Sequence, residues 1–175
     1  MSLINKKDFA NLLELTDPNT FRNLFADMNI IMDSSKYIML PATTLTPHCY
    51  SGMFRGCTGL TTVPSNMLPA TTLADECYNG MFRGCISLTS TPELPATILT
   101  TGCYDHMFTS CRSLSTIICY ATNISANYCT YYWSNNVSAS GTFIKNSTMN
   151  SWPTGDNGIP LGWNVQDYVE PQTVL

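Results

Sequence analysis

LPATTLTPHCYSGMFRGCTGL from Leu40 to Leu60, LPATTLADECYNGMFRGCISL from Leu68 to Leu88 and LPATILTTGCYDHMFTSCRSL from Leu94 to Leu114 are three copies of one segment. Cys49, Cys77 and Cys103 lie 28 and 26 residues apart, and Cys57, Cys85 and Cys111 repeat the same two intervals, each eight residues after its partner. Self-similarity at such a period marks supersecondary units stacked in a row, because a unit so short cannot bury its apolar face alone. Counting back 29 residues places Phe21, Leu24, Phe25, Met28 and Ile31 under Tyr50, Met53, Phe54, Cys57 and Leu60, so a worn copy precedes the clear ones. Tyr120 to Ile124 opens another after them, with Cys129 or Tyr128 in the next cysteine place.

Within a unit, Cys-Tyr-x-x-Met-Phe-x-x-Cys spaces its apolar residues by three and four, which predicts one face of a short helix pointing inward. Gly56 and Gly84 stand where a left-handed residue closes a helix. Leu60 to Val63 and Leu88 to Thr91 read as short strands ended by Pro64 and Pro92. The predicted unit is therefore strand, Pro-rich turn, LPATTL bend and short helix. The fold class is an α/β repeat solenoid with units of about 26 to 28 residues.

The chain has 175 residues, 44% hydrophobic and 11% charged, with a net charge of −4. It has room for a core, it lacks the low hydropathy and high charge of disordered chains, and it offers no general field for a nucleic acid. No apolar run approaches the roughly 20 residues of a membrane-spanning helix. Asn11 and Glu14 interrupt the apolar stretch that a signal peptide needs, so the sequence as written reads as soluble and unexported.

Three regions follow. Residues 1–39 read as an N-terminal cap with the worn repeat: Phe9, Leu12 and Leu13 share a helical face, and Asp17-Pro18 offers the start of a helix reaching Phe25. Residues 40–133 hold the repeats. Residues 134–175 read as a turn-rich, β-rich C-terminal cap, where Asp156-Asn157-Gly158 predicts a tight turn with positive φ at the glycine and Trp152 and Trp163 are expected to close over the last repeat.

These residues resemble the BspA-like leucine-rich repeats of bacterial surface proteins, whose units run leucine, strand, LP bend, then an aromatic-Phe-x-x-Cys turn. The resemblance covers Leu40 to Ile117. It implies a curved leucine-rich-repeat solenoid with strands on the concave side, Phe54, Phe82 and Phe108 stacked inside, and Cys57, Cys85 and Cys111 as a buried ladder. The GTF and WPTGDNGIPLGW segments resemble a tail that follows such repeats in proteins of gut Bacteroidales and their phages.

Cys103, His106 and Cys111 are ligand types for zinc, but the cysteines recur in units with glycine in the histidine's place, which favours a structural role and no metal. Cysteines facing a core are inert thiols, so no Cys-His nucleophile is expected either. Asp75-Glu76 occurs in one unit only and reads as a solvated loop. Stacked cysteines of adjacent layers could approach disulfide distance; free thiols are the expectation. No catalytic residue and no cofactor emerge, so the chain reads as non-enzymatic.

What remains is a surface whose residues can vary without harming the core. Thr61, Thr62, Thr89, Ser90, Ser115 and Thr116 are expected to present hydroxyls on the strands, suiting a neutral polar partner. Tyr128, Tyr131, Tyr132 and Trp133 cluster where repeats meet the C-terminal region and would pack the last layer or, where exposed, meet a glycan or protein. The two functional expectations are an adhesin-type binding module at a cell surface, as part of an exported chain, and a bacteriophage virion component such as a fibre, decoration or host-attachment protein. The first takes a protein or glycan ligand and the second other virion subunits. An oligomer is compatible with both, and neither involves nucleic acid or a membrane span.

Overall fold

The structure is a computed structural model that describes residues 12–32 and 37–168. It is a parallel-strand β-solenoid. The strands are β1 (Ser90–Leu94), β2 (Thr116–Cys119), β3 (Thr142–Asn146) and β4 (Asn164–Tyr168), paired in parallel in chain order, so the chain makes three circuits from β1 to β4. Thr116 faces Thr142 and Thr142 faces Asn164, so the sheet continues unbroken from the repeats into the C-terminal region. Alternation decides the faces: Ile117, Cys119 and Phe143 are buried while their neighbours are half-exposed.

The helices expected at Cys-Tyr-x-x-Met-Phe-x-x-Cys, and between Asp17 and Phe25, are absent, and the described residues contain no helix. In their place runs a ribbon of overlapping turns. Alternate amides serve two purposes. The N–H groups of Cys49, Ser51, Met53, Arg55 and Cys57 donate to the carbonyl three residues back, at 3.0–3.3 Å. Those of His48, Tyr50, Gly52, Phe54 and Gly56 donate to Asp75, Cys77, Asn79, Met81 and Arg83 of the next layer, at 2.8–3.1 Å.

The reason is dimensional. Paired parallel strands advance about 4.8 Å per layer, whereas an α-helix with its side chains is about 10–12 Å across. Helices of successive layers cannot keep pace with the sheet unless the stack fans open. A ribbon one backbone thick can, and its stacked rings lie 5.5–6.2 Å apart.

Each four-residue turn needs one left-handed residue, and five layers supply it at matching places. Asn19, Asn23 and Asp27 lie below His48, Gly52 and Gly56, then Glu76, Gly80 and Gly84, then Gly102, His106 and Ser110, then Tyr128, Tyr132 and Asn136, all with positive φ. Gly56 and Gly84 thus belong to a period of four and are not helix closures.

Two ring columns form the core. Phe21, Tyr50, Tyr78, Tyr104 and Trp133 stack in one; Phe25, Phe54, Phe82 and Phe108 stack in the other. Cys129 takes the first cysteine place, since Tyr104 N–H donates to its carbonyl as Tyr78 N–H does to that of Cys103. Trp133 then takes the place that Met107 holds one layer earlier and spans both columns, stacking on Tyr104 and tilting against Phe108. Trp152 lies flat on it, with centroids 5.6 Å apart and planes at 3°.

Other expectations change in detail. Pro92 lies inside β1 instead of ending a strand: the register shifts between Ser90 and Glu93, and the Thr91 hydroxyl accepts the Ile118 N–H. Residues 60–63 form no strand, although Thr61 O accepts the Thr89 N–H. In the C-terminal turn the positive φ is at Gly155, not Gly158. Gly158 is needed for space, since a Cβ there would lie 2.0 Å from Pro153 O. Leu12 is half-buried and Leu13 exposed, neither of them in a helix, and Phe9 lies outside the described residues.

Two substitutions test this architecture. Gly84 has φ +76°, with ordinary contact space around an added Cβ. Gly84→Ala should destabilise by about 1–2 kcal/mol in urea unfolding, the left-handed penalty; unchanged or raised stability would contradict the positive φ that the four-residue period assigns to it. Phe82→Ala should cost about 3–5 kcal/mol, and a loss below about 1 kcal/mol would contradict the stacked core.

Candidate functional site

The inward positions of the ribbon carry cohesion. All eight cysteines are buried free thiols. Cys57, Cys85 and Cys111 donate to the carbonyls of Phe25, Phe54 and Phe82 in the preceding layer, at 3.1, 3.0 and 3.0 Å. Each carbonyl thereby gains a second donor from the next layer, besides its own turn amide. Burial pushes Cys103, Cys111 and Cys119 up to about 12 and Cys49 to about 11, from an ordinary 9.0. Cys57, Cys77, Cys85 and Cys129 are raised for the same first reason. Protonated, hydrogen-bonded and dry, these groups are poor nucleophiles and poor ligands. Cys103 and Cys111 point into the core while His106 is half-exposed, so the three do not converge. Among the described residues no three His, Cys, Asp or Glu side chains gather as an ion site would require.

The strand hydroxyls are partly spent on the fold. Thr89 Oγ1 donates to Thr61 O at 3.2 Å and Ser115 Oγ to Thr89 O at 3.5 Å, tying successive layers. Ser90 and Thr116 pair across β1 and β2 and are half-buried; Thr61, Thr62 and Thr89 are exposed. This row is therefore continuous but presents few unengaged donors.

The aromatic cluster divides sharply. Trp133 is fully buried, its Nε1 donating to Gly158 O at 2.9 Å. Tyr128, Tyr131 and Tyr132 are 66%, 38% and 39% exposed. They stand edge to face, Tyr128–Tyr131 at 5.4 Å and Tyr131–Tyr132 at 4.5 Å. His106 of the layer before stacks on Tyr132 and meets Tyr131 edgewise, both at 5.7 Å. Tyr128 and Tyr132 occupy left-handed positions, which aim their rings away from the core.

Sequence reasoning missed the outward pairs of the ribbon. Asn79 Nδ2 donates to Asp105 Oδ2 at 3.1 Å, Asp105 contacts the His106 ring, and Glu76 pairs with His48 at 3.3 Å. Arg55 and Arg83 occupy one column there and Arg22 the neighbouring one. The signal was the x-x of M-F-x-x-C, Arg55-Gly56 and Arg83-Gly84, which a helical reading treats as ordinary solvent-facing residues.

Comparison of the chain with protein-family models, with curated proteins and with solved structures gives no match. No helix of the described residues is long and apolar enough to cross a membrane.

The raised thiols have a consequence for pH. A group that holds its proton more tightly when folded contributes stability that is complete below the unfolded value and lost as pH rises through the folded one. The urea midpoint should therefore fall between pH 9 and 12, and native thiols should resist alkylation at pH 8 but react on unfolding. Rapid native alkylation, or a mass gain on reduction, would contradict the free buried ladder.

Proposed function

We propose that the chain is a non-enzymatic recognition module that binds a glycan through the exposed tyrosines of its last ribbon, on a repeat scaffold of the BspA-like leucine-rich-repeat kind. The observation that carries this is the grouping of Tyr128, Tyr131 and Tyr132 with His106 outside a core already closed by Trp133. Their rings are not needed to seal the last layer. Flat amphipathic rings with one wet edge suit a partner that is apolar on one side and hydroxylated on the other, as a pyranose is. Hydrogen bonds fix their backbone, Tyr131 N–H to Tyr128 O and Tyr132 N–H to Asn157 Oδ1, which lowers the ordering cost of binding. At a cell surface, as part of an exported chain, this is an adhesin.

The thiol ladder favours a second reading, a bacteriophage virion protein such as a fibre, decoration or host-attachment subunit. Eight reduced, buried cysteines suit a chain folded in a reducing compartment and released by assembly and lysis. Mass spectrometry of purified particles tests it: presence of the chain selects this setting, and absence removes it.

Binding is tested with a panel of immobilised oligosaccharides and a triple variant, Tyr128→Asn, Tyr131→Ser and Tyr132→Asn. Asparagine is chosen because it tolerates positive φ. Retention of at least one glycan by the parent chain, weakened about tenfold or more in the triple variant at unchanged melting temperature, is the expected result. No retained glycan, or equal retention by the variant, would reject the glycan reading.

A further inference from the structure

The chain is acidic overall, at −4, yet three of the five arginine and lysine residues in the described part line one groove on the outer side of the ribbons. Arg22, Arg55 and Arg83 come from three successive layers, and Gly52 and Gly80 form the floor between them. His106 ends the groove.

Two of the arginines are partly engaged. Arg22 donates to Asn19 Oδ1 at 3.1 Å and Arg55 pairs with Asp27 at 3.5 Å in an exposed contact. No described residue forms an ion pair or side-chain hydrogen bond with Arg83. Asp105, which precedes His106, has its carboxylate taken up by His106 and Asn79. Like charges held in register by the solenoid repel one another, and an anion between them relieves that repulsion. The floor is open at Gly80, where an added Cβ would meet nothing closer than Arg83 Cβ at 4.0 Å, whereas Asn23 Oδ1 already covers Gly52, so an anion has its approach on the Arg83 side. Guanidinium forks match the paired oxygens of carboxylate and sulfate, with two parallel N–H···O bonds to each group.

The groove and the tyrosine cluster meet at His106, whose ring lines the one and packs against Tyr131 and Tyr132 of the other. We infer that the two form one elongated site for an acidic glycan, with a sugar ring on the tyrosines and a neighbouring carboxylate or sulfate between Arg55 and Arg83. This rests on the glycan reading above and adds the charge class of the ligand. The acidic composition of the rest of the surface disfavours long polyanions, so the site selects a short stretch with isolated negative groups.

The test uses calorimetric titration of the full chain with a uronate oligosaccharide, its methyl-esterified neutral counterpart, a sulfated oligosaccharide, its desulfated counterpart and sodium sulfate alone. The parent chain should bind at least one acidic form about tenfold or more tightly than its neutral partner, with the preference shrinking as salt rises. Arg83→Gln should abolish the preference while leaving neutral binding, and Arg83→Lys should restore only part of it. Equal affinity for acidic and neutral forms, or a preference that survives Arg55→Gln/Arg83→Gln, would overturn the inference. So would sodium sulfate binding as tightly as the acidic sugars, which marks a free-anion site. Acidic binding that persists in the triple tyrosine variant would instead sink the tyrosine reading and leave the arginine groove standing.

Discussion

Hydrogen bonds between layers of the turn ribbon set the terms for everything else in this protein. Every second amide reaches forward to a carbonyl of the next layer, and those between close a turn on their own chain. This alternation satisfies the backbone as fully as a helix would, but it directs half of the bonds along the stack. It also fixes the rise per layer near that of a parallel sheet, so both sides of the solenoid advance together.

From that rise follow the contents of the core. Rings separated by one layer meet in stacked pairs, at 5.7 Å for Phe54 and Phe82 and 5.9 Å for Phe82 and Phe108, each pair adding about 0.5–1.5 kcal/mol beyond burial. A thiol fits beside them because it is small and can still donate to the phenylalanine carbonyl below. Serine at the same place would bring a stronger donor but a larger desolvation cost, which is why a soft, weakly polar group suits the site. The column has to end somewhere, and Trp133 ends it by replacing two side chains with one, its own outer face covered by Trp152.

Outward residues come in pairs between the inward ones, and they are free to differ from layer to layer. Arginine, asparagine, aspartate, histidine and tyrosine all appear there without disturbing the rings behind. The left-handed member of each pair is the restricted one, and it is glycine, asparagine or aspartate in nine of the fifteen places. Where it is His48, Glu76, His106, Ser110, Tyr128 or Tyr132, the left-handed backbone that the turn requires carries a full side chain on the outer side of the ribbon.

The repeat, its period and the identity of the inward residues were set by the amino-acid sequence alone, because identical segments must pack in identical ways. Phe21 and Phe25 could be placed beneath Tyr50 and Phe54 by counting, and the structure stacks those rings. Whether the Cys-Tyr-x-x-Met-Phe-x-x-Cys segment coils as a helix or as turns could not be settled locally. Positions i, i+1, i+4, i+5 and i+8 fall on one side of either form. A clue lay in the glycines and asparagines four apart, at Asn19 and Asn23, Gly52 and Gly56, and Gly80 and Gly84, though it is weak in any single copy. Only the tertiary structure decided the matter, since the choice depends on how closely one layer sits on the next. The same contact between layers brought Arg22, Arg55, Arg83 and His106 to one groove from separate units, a meeting no local pattern encodes.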